Sequence, residues 1–114
     1  MRRDSASLLD MYQAGQQVLA FTQGITLREL QDDDMRLSAV LYEIIVIGEA
    51  TTRLSPDFRA NHPQLPWKKM SGMRNILVHQ YDEVNFDLLW DAIQFSIPEM
   101  LGKTAPLLPE EPVT

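Results

Sequence analysis

The sequence has no cysteine among its 114 residues. That excludes disulfides, thiolate metal sites and cysteine nucleophiles, and it fits a reducing, cytoplasmic compartment. Long apolar runs are also missing. The longest purely aliphatic stretch is Ile44–Ile47, far short of the ~20 residues of a membrane span, so no membrane partner is expected. The opening Met1-Arg2-Arg3-Asp4 is charged and lacks the apolar core of a signal peptide. Net positive charge is lacking too: 16 acidic against 10 basic residues leave −6, which taken alone argues against nucleic acid.

No segment alternates as a strand would, whereas apolar residues recur at helical spacing. Ser5 to about Gln23 carries Leu8, Leu9, Tyr12, Val18 and Leu19 in such a pattern and ends at Gly24, a natural C-cap. Thr26 and Glu29 have capping-box spacing. In Asp32-Asp33-Asp34 a magnesium site is the weaker reading. Negative charge before a helix N-terminus is the stronger one, with Asp34 as the expected cap.

A wide apolar face is expected from Met35 to Leu54, built from Leu37, Val40, Leu41, Ile44, Ile45, Ile47, Gly48, Thr51 and Leu54. Tyr42 and Val46 lie on its other side with Glu49 and Arg53 and could mark a subunit contact. Ser55-Pro56 reads as a cap and first helical residue, and Asn61 to Pro66 as a loop. One helix is predicted from Trp67 to about Gln80, and another after the cap Asn85, bent or restarted at Pro98. Beyond Gly102 the spacing of Pro106, Pro109 and Pro112 predicts an extended tail. The expected fold is all-α, a four- to five-helix up-and-down bundle over residues 1–103, with a Pro-rich tail over 104–114.

The charge is unevenly distributed. Between Phe58 and Tyr81 there is no Asp or Glu, while Arg59, Lys68, Lys69 and Arg74 give the 24-residue segment +4 and leave −10 to the rest. Such an island points to an anionic ligand. On an ideal helix with Arg74 at 0°, Asn75 lies at about 100° and His79 at about 140°, with Met70, Met73, Ile76 and Leu77 opposite. Asn75 and His79 are an i,i+4 pair. Histidine moves protons near neutral pH, arginine can stabilise a phosphate gaining charge, and asparagine can fix the ring orientation or bind a phosphate oxygen. RNA phosphodiester cleavage needs a base, an acid and a cation, and a symmetric dimer would supply two histidines and two arginines. A plain solvated face remains open on spacing alone. His62, in Asn61-His62-Pro63, reads as structural.

Arg74, His79 and Tyr81 meet the pattern R-x-x-x-x-H-x-Y, with Asn75 in the frequent R-N form. With Ile47-Gly48-Glu49-Ala50, Pro66-Trp67, Leu89-Trp90 and Ile97-Pro98, this resembles the HEPN superfamily and, within it, the HepT-like toxins, over roughly residues 5–102. The resemblance implies a dimer whose two motifs face one cleft and cleave RNA without metal or other cofactor. Arg74 and His79 would carry the reaction, with Asn75 beside them, Lys68 and Lys69 on the RNA and Glu49 as possible support. It further implies that a cognate minimal nucleotidyltransferase antitoxin transfers AMP to Tyr81, placing an anion beside Arg74. Two alternatives stay open: a non-catalytic HEPN module that binds a nucleotide or a nucleotidyltransferase, and a face that serves only as a dimer seam.

Overall fold

The computed structural model describes residues 2–76 and 84–109. Helix α1 (Arg2–Thr22) buries Leu8, Met11, Ala14 and Val18, whose spacings of three and four place them on one face. It ends where Gly24 adopts φ 75°, a left-handed conformation that glycine takes without a Cβ penalty. Helix α2 (Leu27–Asp32) opens with the predicted capping box: Thr26 Oγ1 accepts from the Glu29 N–H and Glu29 accepts from the Thr26 N–H.

Helix α3 (Asp34–Arg53) is capped by Asp33 rather than by Asp34. The extended backbone of Asp33 lets its carboxylate accept from the Arg36 N–H at 3.0 Å. Asp34 is the first helical residue instead, where its charge still complements the helix dipole. Val40, Ile44, Ile47, Gly48, Ala50 and Thr51 are buried, so α3 is the central element of the core. Its buried arc is narrower than the sequence predicts, and Ile45 is exposed. Of the two residues expected on the outer side, Tyr42 is exposed and Val46 is half-buried against the core.

Helices α1 and α3 run antiparallel. Asp4 lies beside Ser55, Met11 beside Thr51, and Asp10 lies 3.5 Å from Arg53. The short α4 (Pro56–Asn61) starts on Ser55, whose Oγ accepts from the Phe58 N–H, with Pro56 in the first turn. Helix α5 (Trp67–Gly72) follows the loop.

The helix expected from Trp67 to Gln80 does not stay α-helical. After Gly72 it tightens into a 3₁₀ turn, Met73–Ile76, because the Met73 N–H reaches back to the Met70 carbonyl. The remainder of that span lies outside the described residues. The chain then returns beside the turn: the Ile76 carbonyl accepts from the Asn85 N–H at 2.8 Å.

Helix α6 (Phe86–Asp91) is capped by Asn85, whose side chain accepts from the Leu88 N–H at 3.1 Å. The bend predicted at Pro98 takes the form of a π turn, Ala92–Ser96, leading into α7 (Ile97–Thr104). Pro98 has no N–H for the Gln94 carbonyl and its ring would press on it. The Ile97 N–H instead bonds Ala92, five residues back, and the wider turn makes room. The extended course expected beyond Gly102 does not begin there. Helix α7 continues to Thr104 and a 3₁₀ turn follows over Ala105–Leu107, because Leu107 and Leu108 pack against the core.

The described residues thus form an all-α bundle without strands. None of its helices is long and apolar enough to cross a membrane. Helix α1 lies between α3 and α7, and α3 carries α5 with its 3₁₀ turn on another side.

Asp4 ties the two ends of the α1–α3 pair together. Its carboxylate accepts from the Ser55 hydroxyl at 2.7 Å and from the Ser55 N–H at 2.9 Å. These bonds hold its pKa below the ordinary carboxylate value. A depressed folded pKa gives stability that is complete above the unfolded value and disappears as pH falls through the folded one. The Asp4→Ala variant should therefore unfold at lower urea than wild type at pH 7, and the difference should shrink below about pH 4.

Candidate active site

In a 3₁₀ turn, side chains three apart eclipse one another. Met73 and Ile76 accordingly face inward together and are buried, while Arg74 and Asn75 face solvent. The exposed position of Arg74 and Asn75 matches the sequence expectation, but the winding that produces it is tighter.

From this turn the Arg74 side chain lies across α3 at Gly48. A Cβ at Gly48 would collide with Arg74 Cγ and approach Cδ to 3.3 Å. Glycine in a helix interior costs roughly 1 kcal/mol relative to alanine. Here the missing side chain is what lets the Arg74 stem touch the α3 backbone. One residue further along α3, Glu49 Oε1 stands 3.6 Å from Arg74 Nε, with both side chains about half exposed, at 50% and 54%. A solvated pair of this kind adds at most about 1 kcal/mol of stability. Its consequence is directional, since it fixes which way the guanidinium points.

The sequence reading puts Gly48 on the apolar face of α3 and does not reveal this contact. A glycine in the middle of an otherwise strong helix is a signal, as is its place in Ile47-Gly48-Glu49-Ala50, whose Glu49 is expected to support the site.

The other cations of the island are engaged differently. Arg59 turns inward, donating from Nη2 to the Thr51 carbonyl at 2.6 Å, and its guanidinium lies 5.4 Å from the centre of the Trp67 ring. Lys69 is exposed and lies 3.5 Å from Glu99. Lys103, 2.8 Å from the other oxygen of Glu99, is the main reason that this carboxyl sits below its ordinary pKa, with Lys69 contributing. Lys68 is exposed.

His62 is structural, as its context predicts. Its ring lies 4.2 Å from that of Phe58, Nδ1 is 2.8 Å from the Phe58 carbonyl, and Trp67 Nε1 donates to the His62 carbonyl at 2.9 Å. The structure therefore brings together Gly48, Glu49 and Arg74, leaves Asn75 exposed beside Arg74 on the turn, and engages Arg59 and His62 within the fold. His79, Tyr81 and the expected contact of Asn75 with His79 lie outside the described residues.

The chain matches the family described as "Ribonuclease HepT-like" over residues 11–105, a span that holds every residue of this site. The chain belongs to the HepT-like family. Among its relatives, "Putative RNase MJ1380" of Methanocaldococcus jannaschii is 36% identical over 100 residues, covering 87% of this chain and 92% of that protein. "Probable ribonuclease HepT" of Thermococcus cleftensis is 33% identical over 104 residues, 90% of this chain and 94% of that protein. "Putative RNase TTE0752" of Caldanaerobacter subterraneus is 34% identical over 88 residues, covering 77% and 79%. No solved structure matches.

The Gly48 contact is testable apart from any activity. In Gly48→Ala the Arg74 side chain must leave α3, so its Nε–H resonance should shift and lose its response to Glu49→Gln. Thermal stability should change by no more than about 1 kcal/mol, because alanine also favours the helix. An unmoved Arg74 resonance would contradict the packing described.

Proposed function

We propose that this HepT-type ribonuclease works as the toxin of a toxin–antitoxin pair, cleaving RNA at a cleft shared by two copies of the chain. The observation that carries the reading is Arg74, its stem laid over Gly48 and its guanidinium faced by Glu49 on an exposed turn, in a chain of the HepT-like family. A planar cation held by a neighbour's carboxylate, yet still half exposed, is suited to receive a phosphate.

In the proposed reaction, neutral His79 of one protomer takes the proton of the RNA 2′-hydroxyl. The 2′-oxygen attacks phosphorus, the bond from phosphorus to the 5′-oxygen breaks, and protonated His79 of the partner subunit gives that oxygen its proton. Arg74 stabilises the additional negative charge on the phosphoryl oxygens, and Asn75 beside it donates to one of them. The products are a 2′,3′-cyclic phosphate and a 5′-hydroxyl, and the scheme requires neither metal nor cofactor. Lys68 and Lys69 would hold the flanking phosphates.

His79 is three residues beyond Ile76, at most about 11 Å of chain.

A dimer through α3 accounts for a surface feature that the single chain leaves unexplained. Met35, Ser38, Tyr42, Ile45, Glu49 and Thr52 are all exposed and recur at alternating spacings of three and four, the pattern of a helix that packs on another helix. Met35 is 84% exposed and Tyr42 66%, a costly arrangement for a solvated surface and a favourable one for an interface. Glu49 belongs to the same stripe, so a second copy docked there puts both Arg74 side chains along one seam.

Inhibition in this reading is chemical. A nucleotidyltransferase antitoxin transfers AMP from ATP to the Tyr81 oxygen with loss of pyrophosphate, adding charge and bulk close to Arg74.

The purified chain should cleave RNA in the presence of EDTA and leave cyclic phosphate ends. Arg74→Ala and His79→Ala should each lower the rate by a hundredfold or more. Undiminished cleavage by His79→Ala, or full dependence on magnesium, would refute the scheme. Sedimentation should show a dimer that Tyr42→Glu with Ile45→Glu converts to an inactive monomer. A wild-type chain active as a strict monomer would rule out the shared cleft.

A further inference from the structure

A small cleft opens on the far wall of the Arg74 turn. One side is formed by Lys69, Gly72 and Met73, the other by Leu88, Asp91 and Ser96 across the α6–π junction. Its volume of about 130 Å³ is well below the roughly 300–1,000 Å³ of a site for a drug-sized ligand and leaves room for no more than a single nucleobase.

Three features mark it as more than a packing fault. Met73, which lines it, immediately precedes Arg74, so the cleft and the guanidinium share one turn of backbone. Gly72 lines it too, and a Cβ there would meet nothing within 4 Å. The core therefore does not demand this glycine, and the space it leaves belongs to the cleft. Finally, the π turn supplies one wall through Ser96, and π turns recur at functional sites.

The charges narrow the occupant. Lys69 stands on one wall and Asp91 on the other, while the floor and sides are apolar. An apolar peptide would cover both charges without pairing either. A nucleotide has an anionic phosphate at one end and ring N–H donors at the other, and it matches both. The bond of Lys69 to Glu99 is long and exposed, so the ammonium can turn to a phosphate at little cost. An ionised Asp91 only accepts hydrogen bonds, and guanine alone offers two adjacent donors, N1–H and the N2 amino group, to one carboxylate.

We propose that this cleft seats a single guanine base, joined through the backbone of one turn to the Arg74 site, and that Asp91 makes guanine the preferred base there. The inference rests on RNA as the substrate of the Arg74 site and adds which base flanks the cut.

The test uses the full chain and two readouts. Guanosine, adenosine, cytidine and uridine 5′-monophosphates are each titrated while the Gly72 and Ser96 amide resonances are followed. Cleavage positions are mapped on RNA of random sequence. Guanosine monophosphate should shift both resonances and bind about tenfold more tightly than uridine monophosphate, and cleavage should favour guanine at one fixed position. Asp91→Asn should erase most of that preference. Gly72→Leu, a substitution that improves helix propensity, should fill the cleft, abolish the nucleotide response and leave thermal unfolding intact.

Equal response to the four nucleotides with no base preference in cleavage, or a guanine preference unchanged in both variants, would overturn the inference. If the nucleotides discriminate as expected but the chain cuts no RNA, the base site stands and the ribonuclease scheme is the part that fails.

Discussion

The Arg74 side chain lies against the α3 backbone at Gly48, and the functional surface is arranged around that contact. Helix α3 lacks a side chain there, the Arg74 stem fills the space, and Glu49 meets the guanidinium one residue later. Any larger residue at 48 would push Arg74 off the helix. The contact also couples the core to the surface. Residue 48 is buried, as are Ile44, Ile47 and Thr51, so the Arg74 stem rests on the central helix of the core. A long cationic side chain loses much rotamer freedom when it is held in place, and here packing of its stem shares that cost with a solvated ion pair too weak to bear it alone.

The same logic separates structural from functional residues in a segment that the sequence presents as uniformly basic. Arg59 and His62 are absorbed by Thr51, Phe58 and Trp67, where their polar atoms anchor α4 and the following loop to the bundle. Lys69 and Arg74 stay at the surface, each faced by a carboxylate brought from elsewhere in the chain, Glu99 and Glu49. The acid-free island of the sequence is thus not acid-free in space. Its positive potential is moderated, leaving a guanidinium of fixed direction rather than a broad attractive patch. For an acidic protein that handles a polyanion, focusing charge in this way favours a defined contact over general adhesion.

Much of the local structure was legible because it is written in local chemistry. The Thr26–Glu29 capping box, the Ser55 and Asn85 caps, the Gly24 terminus and the break at Pro98 each depend on residues within five positions of one another. The misplaced details are those in which two local solutions differ little in energy and tertiary contact decides. Asp33 and Asp34 can both cap α3. A helix after Trp67 can be wound as α or 3₁₀. The segment beyond Gly102 is extended by its proline spacing, yet two leucines that reach the core hold it helical.

By itself, the sequence determined the helical class, the order of the helices, the family motif and the exposed side on which Arg74 and Asn75 stand, because periodicity and capping are properties of neighbouring residues. Only the tertiary structure decided that Gly48 makes room for Arg74, that Glu49 directs it, that Arg59 is withdrawn from the surface, and that Gly72 and Asp91 border one cleft. Those pairs are separated by 8 to 26 positions along the chain. Their energies arise from close packing and from opposed charges, which depend on distance in space and leave no period in the sequence.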